Sequence, residues 1–480
     1  MNDTNLIQPV AFEDHFQLTH EDIQRTLAIA LASGGDFAEV FLEYRAYNFV
    51  MMEEDIIKET AESVSLGLGI RVLSGEKTGY GYTNDLSPGK IRRAALAASA
   101  ISNSSKTVQA IDLRSLPLTH NYYRVGEAAH RISLEPKIAL VQKAYFACQA
   151  TDPAVKKVKA GIQDSIQFLT IANSDGLLVS DARPMVKLSC TAIAEKGVLR
   201  EFGYSGGGGR VGLEYFRDVL PPEEIGREAA REAVGLLEAK DAPAGEMPVV
   251  LSPGHAGVLI HEAVGHLLEA DFNRKKTSIF WDKFGKKVGS ELITIYDDPT
   301  IPAFRGSYNI DDEGTPPRKT LLIEKGVIKG LLQDRLSAGL MKMPLTGHAR
   351  RQDYSDMPIP RMANTFIAPG QTPPEDIFKS VKKGFYADRF QGGQVEDSGK
   401  FTFSVSSGYL IENGRLTAPV KQATLIGSNI DILNKIEMVG TDLTFSLQTG
   451  TCSKEGQDVP VGDGCPTIKI SRMTVGGKGP

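Results

Sequence analysis

An α+β fold, with mixed and largely antiparallel sheets, helices, and more than one domain, is what this 480-residue sequence predicts. The length exceeds what one ordinary core accommodates, so about two or three domains are expected, each with its own apolar interior. Helix-period and strand-period patterns both occur along the chain, and turn chemistry separates neighbouring strand-like runs as in an antiparallel meander. Hydrophobic and charged fractions of 41% and 24% are those of a globular protein rather than a disordered or fibrous one.

The elements follow in order. Ile23, Leu27, Ala30 and Leu31 fall at helical spacing within residues 21–33, while residues 39–44 and 64–72 alternate or bunch apolar side chains as strands do. Gly75, Gly79 and Gly81 punctuate short strands, and Pro88 suits the N-terminus of a helix running to about residue 101. The polar stretch Thr119–Tyr122 places a boundary near 118, giving an N-terminal α+β domain, 1–118. A helix over 135–150 then precedes strand-like runs at 155–162, 166–172, 177–182 and 185–194, with Asn173-Ser174-Asp175-Gly176 as the clearest turn. An amphipathic helix over 223–237 closes a β-rich middle domain, 119–240. Lys240-Asp241-Ala242-Pro243-Ala244-Gly245 reads as a linker into a C-terminal domain, 241–480, of short strands and many Pro/Gly turns.

Composition excludes several function classes. The formal net charge is −5, and no segment gathers the Lys/Arg cluster that phosphate neutralisation requires, so no nucleic-acid partner is expected. No stretch reaches the roughly 20 apolar residues of a membrane span, and Met1–Asp14 lacks the basic start and apolar run of a secretory signal. A cytoplasmic location follows as the expectation. Cys148, Cys190, Cys452 and Cys465 are too few and too scattered for a disulfide framework, so a special cysteine reads as a ligand or nucleophile.

Three of the eight histidines, His255, His261 and His266, lie within twelve residues. Two histidines four apart on one helix face, followed by a glutamate after the first, form the common zinc-peptidase pattern. Here, in His261-Glu262-Ala263-Val264-Gly265-His266, the gap is five. On an ideal α-helix that spacing separates the side chains by about 140°, too far for one metal. A π-bulge would bring them to one face, and Gly265 is where the helix deforms most easily. Without that distortion both are ordinary helix histidines and Glu262 a solvated carboxylate. A catalytic zinc takes three protein ligands. The third is open among Glu269, Asp271, His255 and a distant cysteine such as Cys452 in its Gly-flanked turn, whose bland reading is a small buried hydrophobe. Two other patterns carry less. Gly203-Tyr204-Ser205-Gly206-Gly207 matches a serine-hydrolase elbow, and Gly207–Gly212 spells a dinucleotide fingerprint. Neither leads into a helix, which favours a flexible glycine loop.

The segment Gly254–His266 with Glu269-Ala270-Asp271 strongly resembles the TldD/PmbA peptidases, specifically their TldD-type catalytic subunit. The likeness runs along nearly the whole chain, through Gly67–Val72, Asn173–Gly176, Asp297-Asp298-Pro299 and Cys452–Gly462. It implies an α+β fold, zinc held by His261, His266 and Cys452, and Glu262 as general base. It also implies small or unfolded peptides as substrates, with peptide maturation and antitoxin breakdown as family roles. The expected partner is a PmbA (TldE)-type subunit in a heterodimer, or else a second copy in a homodimer. An older family label concerning DNA gyrase does not imply DNA binding, which the charge opposes.

The expected mechanism is a metallopeptidase's: zinc polarises the scissile carbonyl while Glu262 takes a proton from the activated water and passes it to the leaving amine. His348 and Arg350 are candidates for stabilising the oxyanion, against surface or structural roles. A peptide adding as a strand to a sheet edge beside the metal gains affinity without sequence selectivity. The rivals are a noncatalytic peptide-binding subunit, opposed by the intact His/Glu/His set, and a serine hydrolase using Ser205.

Overall fold

Phe37–Glu53 is apolar or buried at each of its first seven positions and alternates thereafter, the pattern of a strand covered on both faces at one end and on one face at the other. In the computed structural model, which describes residues 15–102, 112–123, 132–396 and 398–478, it lies mid-sheet between Ile56–Ser74 and Val155–Asn173, antiparallel to both. Lys77–Thr83 extends this seven-stranded sheet on one side. On the other, Leu177–Lys196 carries both Leu199–Gly209 and a short parallel strand, Arg114–Ser115.

Even-numbered residues of the central strand face four helices. Val40 and Leu42 share a core with Ile23 and Leu27 of the helix His20–Ala30 and Ile91 of Pro88–Ser99. Val50 and Met52 do the same with Val141 of Leu134–Gln149 and Ile225 and Ala229 of Pro222–Leu237. Each such side chain, fully buried, contributes about 1.5–3 kcal/mol. Odd-numbered residues face the second half of the chain: Phe41 packs on Ile310, and Glu43 accepts the Tyr354 N–H at 2.8 Å. A Cβ on Gly67 would lie 2.3 Å from the Tyr354 ring, so this contact requires glycine.

Three sequence expectations need correction. The runs 155–162 and 166–172 are one strand, and so are 177–182 and 185–194. Polar Asp164 interrupts the apolar pattern, but it is buried, 2.9 Å from Lys137 Nζ and 3.1 Å from Asn48 Nδ2. Pro184 is tolerated because the second neighbouring strand begins pairing only at Val186. Gly206–Gly209 is strand, paired with Val186–Ser189, and not a flexible loop. The expected linker is also partly sheet: Lys240–Asp241 pairs in parallel with Val420 and Lys421, and Gly245 opens the strand Gly245–Leu251.

The second half contains another two large sheets. One orders Ile436–Val439, Ile468–Gly476, Gly245–Leu251, Lys383–Val395, Lys400–Glu412, Arg415–Ser428 and Lys240–Asp241. The other orders Val327–Ile328, Thr320–Glu324, Ile295–Asp297, Asn364–Ile367, Gly462–Cys465 and Thr444–Phe445. The helical segment with the histidines touches Lys383–Val395 of the first and Asn364–Ile367 of the second. Leu259, Ile260, Val264 and Leu268 join a common core with Phe385, Phe403, Ile295 and Ile323. The whole is an α+β fold of mixed, largely antiparallel sheets. Among the described residues no helix is long and apolar enough to cross a membrane.

Candidate metal centre

The α-helix Gly257–Ile260 passes directly into a π-helical turn, His261–Gly265, and then a 3-10 turn, His266–Leu268. The His266 N–H donates to the His261 carbonyl, five residues back. This closure places residues five apart above one another, and the two imidazoles meet edge to face with centroids 5.2 Å apart. Gly265 is required by packing as well: a Cβ there would lie 1.8 Å from Met362 Sδ.

Cys452 reaches the same point from far along the chain. It sits in the hairpin of Thr451–Lys454 with Gln457–Pro460, opposite Val459. Its Sγ is 3.3 Å from His266 Nε2, and one ligand atom from each of His261, His266 and Cys452 lies within 4.8 Å of the other two. Burial would push the Cys452 thiol up, but the two imidazoles outweigh it and bring it down to about 4. Arg361, fully buried, donates to both Cys452 Sγ (3.2 Å) and its carbonyl (2.6 Å). His261 Nδ1 is buried without a hydrogen-bond partner. A thiol and two imidazoles, one of them with a ring nitrogen left without a partner, fit a borderline-soft cation such as zinc.

The carboxylates stand behind this cluster. Glu269 Oε2 lies 3.1 Å from His266 Nδ1, so it fixes the ring whose other nitrogen faces Cys452. Burial would raise the Glu269 carboxyl, yet Lys454 and His266 hold it down to about 2. Lys454 Nζ is 3.0 Å from Glu269 and 2.8 Å from Asp271. Glu262 remains partly exposed, with Oε2 3.8 Å from His266 Nε2. Thus Glu269 and Asp271, open as ligands from local spacing, do not join the three-residue group. His255 does not either: its Nδ1 accepts the Phe390 N–H at 2.9 Å, and burial pushes it down to about 4. It lines a cavity of about 550 Å3 together with Asp463 and Thr451. Burial pushes the Asp463 carboxyl up to about 7, with His261 opposing.

Other candidates are accounted for elsewhere. Ser205 is buried in its strand, its Oγ 3.3 Å from Glu228. His348 is fully buried with both ring nitrogens engaged, Nε2 by Asp297 at 3.0 Å and Nδ1 by the Thr346 carbonyl at 3.0 Å. Arg350 donates to the Met362 and Pro460 carbonyls. Cys465 is buried, its thiol donating to the Pro466 carbonyl. Sequence reasoning assigned no role to Lys454, Arg361 or Asp463. Lys454 alone had a usable signal, since it lies two residues from Cys452 on the same face of a strand.

Family models described as "PmbA/TldA metallopeptidase" match the chain three times: domain 1 at residues 38–102, the central domain at 128–237 and the C-terminal domain at 244–477. A "Metalloprotease TldD homolog" of Haemophilus influenzae is 42% identical over 449 residues, 92% of this chain and 93% of that protein. A "Zinc metalloprotease TldD homolog" of Saccharolobus solfataricus is 28% identical, covering 92% of this chain and 97% of its own. Among solved structures, a putative modulator of a DNA gyrase from Thermotoga maritima shares the fold with TM-score 0.78 at 23% identity, over 95% of this chain and all of that one. TldE from Thermococcus kodakarensis does so with TM-score 0.73 at 20% identity, over 95% and 99%. With three family domains in order and relatives this similar along nearly its full length, the chain belongs to the PmbA/TldD metallopeptidase family.

Proposed function

We propose that this chain is a zinc-dependent peptidase, with His261, His266 and Cys452 as metal ligands and Glu262 as general base. The observation that carries the reading is the convergence of three donor groups, two imidazoles and a thiol, with one ligand atom of each within 4.8 Å of the others. The relatives' printed names, metalloprotease and zinc metalloprotease, support the same activity. When bound, zinc supplies Lewis acidity towards a peptide carbonyl and makes nearby water more acidic.

The protein's own groups do the rest. Glu269, anchored by Lys454, orients His266 so that Nε2 faces Cys452. The partly exposed Glu262 carboxylate takes a proton from the attacking water and delivers it to the amine released when the C–N bond breaks. Substrates in this reading are small or unfolded peptides, bound as an added strand. The partner is a PmbA/TldE-type subunit or a second copy of the chain, and the compartment is the cytoplasm, where thiols stay reduced.

Zinc content of the purified chain, measured beside peptide hydrolysis with and without chelator, tests the assignment. Stoichiometric zinc and chelator-sensitive cleavage are expected. Glu262→Gln should keep the metal and peptide binding while losing about 10²–10⁴-fold in turnover. Peptide binding with no cleavage, with or without the homologous subunit, would leave the noncatalytic reading in place. Weighing the mixed subunits decides the partner.

A further inference from the structure

A second cavity, of about 250 Å3, adjoins the Cys452 hairpin and is walled by six arginines, with the carboxylates Asp312 and Asp458 also in its lining. Three are neutralised: Arg45 by Glu43 at 2.7 Å, Arg183 by Asp312 at 2.7 Å and Arg351 by Glu39 at 2.7 Å. Among the described residues Arg210, Arg305 and Arg350 form no ion pair, Asp181 and Asp312 acting on Arg210 and Arg350 only from a distance. Their hydrogen bonds go to neutral groups: Arg210 Nε to the Ser307 carbonyl, Arg305 to the Gly450 carbonyl, Met185 Sδ and Thr451 Oγ1, and Arg350 to the Met362 and Pro460 carbonyls. Arg210 and Arg350 are only 5% and 4% exposed. Burial pushes Arg210 down to about 9 and Arg305 to about 10, values that still leave both charged at neutral pH.

Burying a charge without a paired counterion is costly, and two such charges beside the partly exposed Arg305 around one cavity point to an anion that supplies what the chain withholds. The planar guanidinium fork matches a carboxylate's two oxygens. The volume admits the end of a peptide rather than the face of a folded partner. Arg305 and Arg350 hold the carbonyls of Gly450 and Pro460, and Pro460 pairs with Thr451, one residue before Cys452. One residue of strand is only about 3.3 Å. Thr451 also lines the larger cavity that holds Asp463.

We propose that the arginine-walled cavity is a subsite for the C-terminal carboxylate of a peptide, so that the chain recognises substrate ends. This rests on the peptidase reading. The subsite explains how an enzyme that grips mainly backbone could favour short peptides: a chain terminus supplies the one charge that an internal segment lacks.

The test uses the full-length, zinc-loaded Glu262→Gln chain, which holds peptide without cutting it. Binding of an N-terminally labelled octapeptide is followed by fluorescence anisotropy, with its C-terminus free or amidated. The amide should bind at least about tenfold more weakly, the worth of a charge-assisted hydrogen-bond pair. Arg210→Met should remove that difference without lowering the melting temperature, because an uncompensated buried charge is lost. Arg305→Gln, at the more accessible wall, gives the same readout if Arg210→Met fails to fold. Equal affinity for acid and amide overturns the subsite, and so does inorganic phosphate binding more tightly than the free-acid peptide, which would assign the cavity to a free oxyanion. Chelator-sensitive cleavage with no preference for a free terminus removes this inference alone, whereas no cleavage by the unmutated chain, with or without the homologous subunit, removes the peptidase reading.

Discussion

Two buried charge clusters, one joining the two halves of the chain and one at the histidine turn, both set cations against Glu and Asp but are completed differently. At the junction, Arg71 pairs with Glu39 and Glu313, Arg351 with Glu39, and Arg183 with Asp181 and Asp312, so each cation meets acids across the interface between sheet and second half. At the histidine turn the outer charges are matched too, Lys454 with Glu269 and Asp271. Its innermost groups converge without such closure: ligand atoms of His261, His266 and Cys452 lie within 4.8 Å of one another, and His261 Nδ1 has no hydrogen-bond partner among the described residues. A buried network whose charges close on themselves holds a fold together, while one that closes everywhere except at a few convergent donors reserves a place for something else.

The sharpest way to break this contrast is at the thiol. Cys452→Ala should lose zinc and hydrolysis together with little loss of folding, since it removes one donor from the open cluster. Cys465→Ala, in an equally buried position with its thiol on a backbone carbonyl, should keep both. Metal analysis and circular dichroism of the two variants decide it, and full zinc in Cys452→Ala would end the case for an open cluster.

At the closed cluster the order of effects should reverse. Arg71→Met should cost ~3 kcal/mol of stability, the lower end for breaking a buried pair, and leave zinc stoichiometry intact. The Glu313 carboxyl is already pushed up to about 7, burial outweighing Arg71. Without Arg71 it rises further above its unfolded value. The unfolded chain then releases that proton first, so stability falls as pH rises. Denaturant melts at pH 5 and pH 8 should show the larger deficit at pH 8, and a deficit that is the same or smaller there would mean Glu313 is not the group left exposed to the cost.

The difference between the clusters also explains what was legible in the sequence. His261, Glu262 and His266 are local, and a gap of five could serve one metal only through a π turn such as the chain forms over His261–Gly265. The four large helices of the first half were legible for the same reason, since period and capping are written within a dozen residues. Cys452 lies 186 residues beyond His266, and its Gly-flanked turn made it one open candidate among several, which the family resemblance alone singled out. Nothing local marks Glu39 and Glu43, within the strand-like run 39–44, as buried, because their partners Arg351 and Tyr354 come more than 300 residues later. Asp164 and Pro184 split two long strands into four short ones for the same reason: the groups that satisfy them, Lys137 and the strand neighbours, are set by tertiary pairing. Alternation reports burial of apolar groups, and it misleads wherever a buried charge is paired at a distance.

The smallest expected effect lies on the boundary between the closed and open parts of the metal centre, at Glu269. It is fully buried, bonded on one side to His266 Nδ1 and on the other to Lys454. Were it a ligand, Glu269→Gln would behave like Cys452→Ala. As an orienting group it should weaken zinc binding by only about 10–100-fold, the usual cost of losing a ligand's outer partner. The glutamine keeps the shape and can still accept from the imidazole, while Asp271 still neutralises Lys454 at 2.8 Å, so folding should survive. Zinc competition against a chelator of known affinity separates the cases. Complete loss of metal would move Glu269 into the ligand set, and unchanged affinity would reduce it to a partner for Lys454; an intermediate loss, rescued by excess zinc, is what a closed outer shell around an open centre requires.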